Sequence, residues 1–398
     1  MFIQDSVHGY IELKDLEEDL ISTEEFQRLR RVRQLGFTSL VYPSTTHTRF
    51  EHSLGAMYLI KRFSKHLGVS GDDRKHLRAA ALLHDLGHGP HSHTSEEVMD
   101  SHGYSHEEFS CKKVKNSQVR EVLERHGLDP EKVVELIKGK TEFGQIVAGD
   151  IDVDRMDYLM RDSYYSGVAH GTIDEDTIIR ASKLREEEVV FRSKFKQSIE
   201  GLLTARHFMI PTLYEHNAVV RAEKMMERAI ETLVGSGEIS VEDLAEMDDV
   251  DMRSTLRNTG NERASYLNKK LDSRDIFKTA LSWDKSRIGK EGLKQLSSNI
   301  GSETDLERKI AEEAGVEEKD VLVDSPHIPR KKDIKIKMLK NGDIVKLGEI
   351  SPLTRAIHES KWEQVAVEVY SPEEKLSEVE EAAKSVLREQ KDILKNFL

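Results

Sequence analysis

A mainly α-helical protein, with a helical core and a smaller α+β lobe behind it, is what the sequence predicts, on three observations. Apolar residues recur at i, i+3 and i+4 through most of residues 1–236. Histidines and aspartates fall on the apolar sides of several of those helices. In residues 237–398 the chain becomes more charged and twice alternates with period two, the mark of half-buried strands.

The 398 residues hold 60 Lys and Arg against 73 Asp and Glu, a net charge of −13, with 37% hydrophobic and 33% charged residues. That balance suits a chain that buries a core rather than a disordered one. The acidic total argues against nucleic acid as the main partner. Every apolar run falls short of the roughly 20 residues of a membrane helix. The single cysteine, Cys111, and a start without a signal-peptide pattern lead to the expectation of a reducing cytoplasm.

Taken in order, Phe26, Leu29 and Val32 predict a helix through 24–33, and Leu54, Tyr58, Phe63 and Leu67 one over 53–67. Asp72 or Asp73 is expected to cap a helix over 74–86, with Gly87 just past its end. Met156, Leu159 and Met160 mark the apolar side of a helix over 154–162, and one long helix is expected from 197 to 234. An acidic stretch, 242–251, reads as a linker. Beyond it Ile334, Ile336 and Met338 alternate with lysines, Asn341-Gly342 offers a hairpin turn before Ile344 and Val345, and Val365, Val367 and Val369 alternate again. The basic run 330–340 reads as an exposed edge strand guarded by lysines. Ser371-Pro372-Glu373-Glu374 reads as a capping box for a last helix striped by Leu376, Val379, Ala383, Val386, Leu387, Leu394 and Phe397.

Of 17 histidines, ten lie between His47 and His106. His84 continues the apolar face of Leu77 and Ala80; alone, His84-Asp85 is best read as a satisfied core pair. His52 lies on the side of Ala56 and Leu59, and Asp154, Tyr158 and Asp162 share one helix face. His88, His91 and His93 crowd a Gly-Pro loop. Imidazoles and carboxylates on inward faces of separate helices are costly to bury unless they bind something together. Two imidazoles and two carboxylates suit a divalent cation such as Mn, Fe, Co, Ni or Zn.

The order His52, His84-Asp85, Asp154 resembles the HD superfamily of metal-dependent phosphohydrolases. Arg49-Phe50-Glu51-His52-Ser53-Leu54-Gly55, His84-Asp85-Leu86-Gly87-His88-Gly89-Pro90 and Asp154-Arg155-Met156-Asp157-Tyr158 resemble its deoxynucleoside triphosphate (dNTP) triphosphohydrolases, as do Asp5-Ser6-Val7-His8-Gly9 and the segment from Phe26 to Gly36. The resemblance implies one divalent metal per active site, Mg included, on His52, His84, Asp85 and Asp154. It implies catalytic roles for His88, His93, Glu96 and His106, with Glu96 orienting and charging His93. It places substrate contacts at Gln34, Arg49, Arg155, Tyr158, Asp162, Arg206 and Tyr214, a tyrosine ring against the sugar's 2′ carbon favouring deoxyribose. The implied reaction is hydrolysis of a dNTP to deoxynucleoside and triphosphate. The alternatives are another HD nucleotidase or phosphodiesterase, and a nucleotide or nucleic-acid sensor without turnover.

By the same resemblance a homodimer or homotetramer is expected, with a nucleotide activator between subunits. Gln27 and Arg30 match residues of that activator site, but Ser22 and Met1 replace an acidic residue and a lysine there. Arg28, Arg30, Arg31 and Arg33 read equally well as a solvated helix face.

Overall fold

The computed structural model describes residues 1–186, 188–284, 303–325, 335–360 and 366–395, with side chains of the last helix described through Leu387. Ile334, Val365, Phe397, the Leu394 side chain and residues 330–333 of the basic run lie outside these residues. The described chain is mainly helical, with small sheets, as the periodicity requires.

It packs as two compact units that no single cut separates: Met1–His216, Ile239–Ser254 and Ile334–Arg355 form one, and the remaining segments form the other. The boundary expected at 236 therefore does not match the packing. The helix Asn217–Ser236 buries Val219, Met225, Ile230 and Leu233 within the second unit, where Lys224 and Arg228 pair with Glu303.

In the first unit the helix Arg49–His66 starts at Thr48 with a capping box to Glu51 and buries His52, Leu54, Ala56, Leu59 and Phe63. It packs against the helices Gly71–Leu83 and Val153–Ser166. The second of these is capped by the Asp152 side chain, which accepts from the Arg155 amide at 2.8 Å, and closed by left-handed Gly167. Phe26, Leu29 and Val32 are fully buried as expected, but on a short helix, Glu24–Arg28, that tightens to a 3-10 turn.

Several expectations are corrected. The helix expected over 74–86 is Gly71–Leu83, starting at Ser70 and leaving His84 at its C-cap. Gly87 is not its terminator: a Cβ there would lie 2.1 Å from the His106 carbonyl and 2.4 Å from the Ser110 amide, so glycine is required for close approach. The long helix expected over 197–234 is Lys196–Met209, a π-helical turn Ile210–Tyr214 containing Pro211, and Asn217–Ser236. The acidic stretch expected as a linker is folded: Ser240 caps the helix Val241–Glu246, and Val241, Leu244 and Ala245 are buried.

A hairpin, Phe2–Asp5 with Gly9–Glu12, opens the chain. The Asn341-Gly342 turn forms as expected, with both residues at positive φ. Its strands, Lys337–Lys340 and Asp343–Lys346, join Ser182–Arg185 and Glu188–Arg192 in a four-stranded sheet of the first unit rather than in a C-terminal lobe. Lys337–Lys340 lies inside that sheet rather than at its edge, with Ile336 and Met338 buried and Lys337 paired to Glu188.

The second unit builds an antiparallel sheet with Ala366–Ser371 central between Lys278–Asp284 and Leu322–Asp324. Ser371 ends that strand, so the capping box does not form: a 3-10 turn at Glu373–Lys375 leads into the helix Leu376–Lys395. Val379, Ala383 and Leu387 are buried on it as expected. Gly87→Ala is expected to destabilise the first unit by about 1–3 kcal/mol through overpacking against the His106 helix, read as a lowered midpoint in urea denaturation.

Candidate metal centre

Three helix termini bring the four candidate ligands together. His52 sits in the first turns of Arg49–His66, His84 and Asp85 follow Gly71–Leu83, and Asp154 lies in the first turn of Val153–Ser166. His52 Nε2 lies 3.0 Å from Asp154 Oδ1 and 3.5 Å from Asp85 Oδ2; His84 Nε2 lies 3.2 Å from Asp85 Oδ1 and 3.7 Å from Asp154 Oδ1. The other nitrogen of each ring is committed, His52 Nδ1 to Asp157 Oδ2 at 2.8 Å and His84 Nδ1 to the Ala81 carbonyl at 3.0 Å. Both Nε2 atoms are buried without a hydrogen-bond partner. Two such nitrogens converging with two carboxylates form a donor set that fits a divalent cation. Burial works against charge on these rings, yet Asp154, Asp157 and Asp85 push His52 up to about 10, and Asp85 and Asp154 raise His84, so positive charge is favoured at this point.

Arg49 is buried beside the set, its Nη1 on Asp85 Oδ2 at 2.8 Å and its Nε on the Ser92 hydroxyl at 2.9 Å; Nη2 is unpartnered. His88 is buried with Nε2 3.5 Å from Asp85 Oδ1, and its ring stacks on His106 at 4.0 Å. Glu96 joins His106 Nδ1 in a short contact and His93 Nδ1 at 3.1 Å. His93 stands at the rim with its side chain 68% exposed, whereas His106 points inward. Burial, Arg49 and His106 hold His88 well below the usual imidazole range. For His106 burial lowers the pKa, but Glu96 overcomes it and raises the group. The pKa values of the two stacked imidazoles are thus pushed apart, favouring the neutral form of His88 and the charged form of His106.

The loop between His84 and His93 is held under strain. His91 and Ser92 both have positive φ, 55° and 49°, without being glycine. Asp249 Oδ1 accepts from the His91 amide at 2.7 Å and its Oδ2 from the Arg33 amide at 3.2 Å. The Ser92 hydroxyl donates to the Arg33 carbonyl at 2.7 Å. Buried Arg28 donates to the carbonyls of Leu86 and His88, each at 2.7 Å, and of Met247 at 2.6 Å.

Comparison with known proteins decides the family. The HD domain model matches residues 49–162, and the HD associated region matches residues 173–397. An uncharacterized protein of Methanocaldococcus jannaschii is 36% identical over 385 residues, 95% of this chain and 81% of its own. The chain belongs to the HD-domain phosphohydrolase family. A deoxynucleoside triphosphate triphosphohydrolase SAMHD1 homolog of Dictyostelium discoideum is 35% identical over 254 residues, covering 57% of this chain and 48% of that protein. The chain thus spans about half the length of that relative. Among solved structures, a phosphohydrolase from Bacteroides thetaiotaomicron superposes with a TM-score of 0.75 at 26% identity, covering 94% of this chain and 99% of that one. A hypothetical protein from Aquifex aeolicus superposes with a TM-score of 0.77 at 27% identity, covering 96% and 99%.

In this HD phosphohydrolase the residues expected to meet substrate fall into two groups. Tyr158 and Tyr214 approach edge to face at 6.2 Å, and the Tyr214 hydroxyl donates to Asp162 Oδ2 at 2.8 Å. Asp162 Oδ1 is 2.8 Å from His47 Nε2, and the Gln34 amide donates to the His47 carbonyl at 3.1 Å, with Gln34 Oε1 buried and unpartnered. Arg206 is half-buried and close enough for its charge to bear on both tyrosines. The Arg155 guanidinium meets the Gly149 carbonyl and lies beside Asp150 and Asp152, with its charge also bearing on Tyr158 and Asp154.

Of the four arginines read as a solvated helix face, Arg30, Arg31 and Arg33 are exposed, with Arg30 over the Phe50 ring at 3.5 Å and Arg31 paired with Asp248, whereas Arg28 is buried. Gln27 donates to the Ile21 carbonyl at 2.6 Å. Among the described residues no helix is long and apolar enough to cross a membrane. The sequence reading missed His47, Asp157, Arg161 and Asp249. Asp157 carried a signal, since it lies one helical turn after Asp154; Asp249 carried none, because its partners are backbone amides distant in sequence. Asp85→Asn is expected to abolish retention of metal after dialysis, measured by elemental analysis, with the fold retained by circular dichroism.

Proposed function

We propose that this HD phosphohydrolase hydrolyses dNTPs to deoxynucleoside and inorganic triphosphate. The observation that carries the reading is that one helix, Val153–Ser166, supplies a candidate metal ligand, Asp154, and about one and two turns later Tyr158 and Asp162 of a wall completed by Tyr214. A phosphate at the metal would therefore leave the sugar against that wall. The dNTP triphosphohydrolase relative supports the substrate class.

A metal held by His52, His84, Asp85 and Asp154 would supply Lewis-acid charge and an activated water. The protein groups do the rest. Arg49, with one nitrogen free, would bind a phosphate oxygen. As water adds to the α-phosphorus and the bond to O5′ breaks, His106, whose pKa Glu96 raises, would donate a proton to O5′. Neutral His88 would orient the water or accept its proton. The ring of Tyr158 or Tyr214 would exclude a 2′-hydroxyl. Both Asp162 oxygens already accept hydrogen bonds, so the free Oε1 of Gln34 would share in binding the 3′-hydroxyl.

Purified protein incubated with each dNTP and rNTP across Mn, Mg, Fe, Co, Ni and Zn is expected to yield deoxynucleoside plus triphosphate from dNTPs alone, resolved by chromatography. His84→Ala/Asp85→Ala is expected to be silent. Pyrophosphate with dNMP, or equal turnover of rNTPs, would sink the reading and favour another HD phosphohydrolase. Silence on single dNTPs is followed by nucleotide mixtures, which supply an activator if one is required. The pH profile gives a second check. Glu96 raises His106, so Glu96→Gln should lower that pKa and move the alkaline limb of kcat to lower pH.

A further inference from the structure

The candidate ligand His52 is held by a chain of buried charges that ends outside the helices. Asp157 is fully buried and accepts four hydrogen bonds: from His52 Nδ1 at 2.8 Å, from Arg161 Nε at 2.9 Å and Nη2 at 3.1 Å, and from His8 Nε2 at 2.6 Å. Those contacts fill about the four acceptor sites a carboxylate has. Arg161, also fully buried, forks in turn onto Asp5, with Nη1 at 2.8 Å and Nη2 at 3.2 Å. Asp5 Oδ1 accepts from the amides of Val7 and His8, at 3.0 and 2.8 Å, which fixes the tip of the N-terminal hairpin and aims the His8 ring. That ring also lies on Tyr58 at 4.8 Å. Gly55 leaves the space this arrangement needs, since a Cβ there would stand 1.8 Å from Asp157 Oδ1.

We propose that His8 and Asp5 are positioning residues for the metal ligand His52, acting through Asp157 and Arg161, so that the N-terminal hairpin sets part of the metal affinity. The inference rests on His52 being a metal ligand and is independent of the substrate. His8 contributes a donor that holds Asp157 in the rotamer facing His52. Asp5 holds Arg161, without which Asp157 would be a buried carboxylate short of its counter-charge. Residues at this remove from a metal, acting through its ligands, change affinity by about 10- to 100-fold.

The test is Co2+ binding by the full chain, followed by visible absorption in competition with a chelator, beside the melting temperature of the metal-free protein. His8→Ala is expected to weaken Co2+ by about 10- to 100-fold with little change in metal-free melting. His8→Gln, whose amide can donate from the place of Nε2, is expected to recover most of the loss. Asp5→Asn, which keeps the shape of the turn, should weaken Co2+ in the same direction. Native affinity in His8→Ala and Asp5→Asn, or equal loss in His8→Ala and His8→Gln with a lowered metal-free melting temperature, would overturn the proposal. Absence of Co2+ binding by the native chain would overturn the metal assignment and this proposal with it, whereas binding without turnover of any dNTP would leave the hairpin's role standing and count only against the proposed substrate.

Discussion

A carboxylate with no exposure to water, Asp157, is the charge around which the first unit is arranged. Burying it is tolerable only because Arg161, His8 and His52 approach it from a helix turn, a hairpin and a neighbouring helix at once. Satisfying Asp157 therefore fixes the distance between Arg49–His66 and Val153–Ser166. The same contact turns His52 so that its second nitrogen faces Asp85 and Asp154. Packing and site geometry are here one constraint, and Gly55 is its steric counterpart.

A second constraint acts on the loop that carries His88. Two consecutive residues at positive φ are unfavourable, and the surrounding structure must hold them. Asp249, Arg28 and the Ser92 hydroxyl do so through main-chain groups of His91, Arg33, Leu86 and His88. Asp249 and Met247 belong to the part of the chain matched by the HD associated region, so that region contributes to the first unit's loop as well as to the second unit. In an HD phosphohydrolase, a loop held in this way beside the candidate ligands would keep imidazoles in place as charge develops.

The electrostatics of the imidazole pair follow from which carboxylate each ring faces. His106 faces Glu96 and gains charge; His88 faces Arg49 and the His106 ring and stays neutral, although Asp85 is near. His93, matched by spacing to Glu96, shares that carboxylate but stands in solvent. Spacing of i, i+3 brought His93 and Glu96 together as expected, whereas the tighter partner of Glu96, ten residues away, required the helix His106–Asn116 to fold back over the loop.

Helical class, the burial of the Phe26, Leu29 and Val32 edge, the Asn341-Gly342 hairpin and the HD membership were legible in the sequence, because each depends on local periodicity, on turn chemistry or on a short ordered motif. The convergence of His52, His84, Asp85 and Asp154 was legible in part from the apolar neighbours of His52 and His84, and for the two aspartates from the ordered motif and its resemblance to the HD family. What the tertiary structure alone decided were the partners of those groups. The acidic stretch 242–251 looked like a linker because its charges mask two buried apolar residues, Leu244 and Ala245, and because Asp249 is spent on amides more than 150 residues away in the chain. The strand pairing that brings Lys337–Lys340 beside Glu188–Arg192, and the salt bridge from Asp5 to Arg161, also join distant segments. Local sequence fixes which face a side chain lies on; only packing fixes what it meets there.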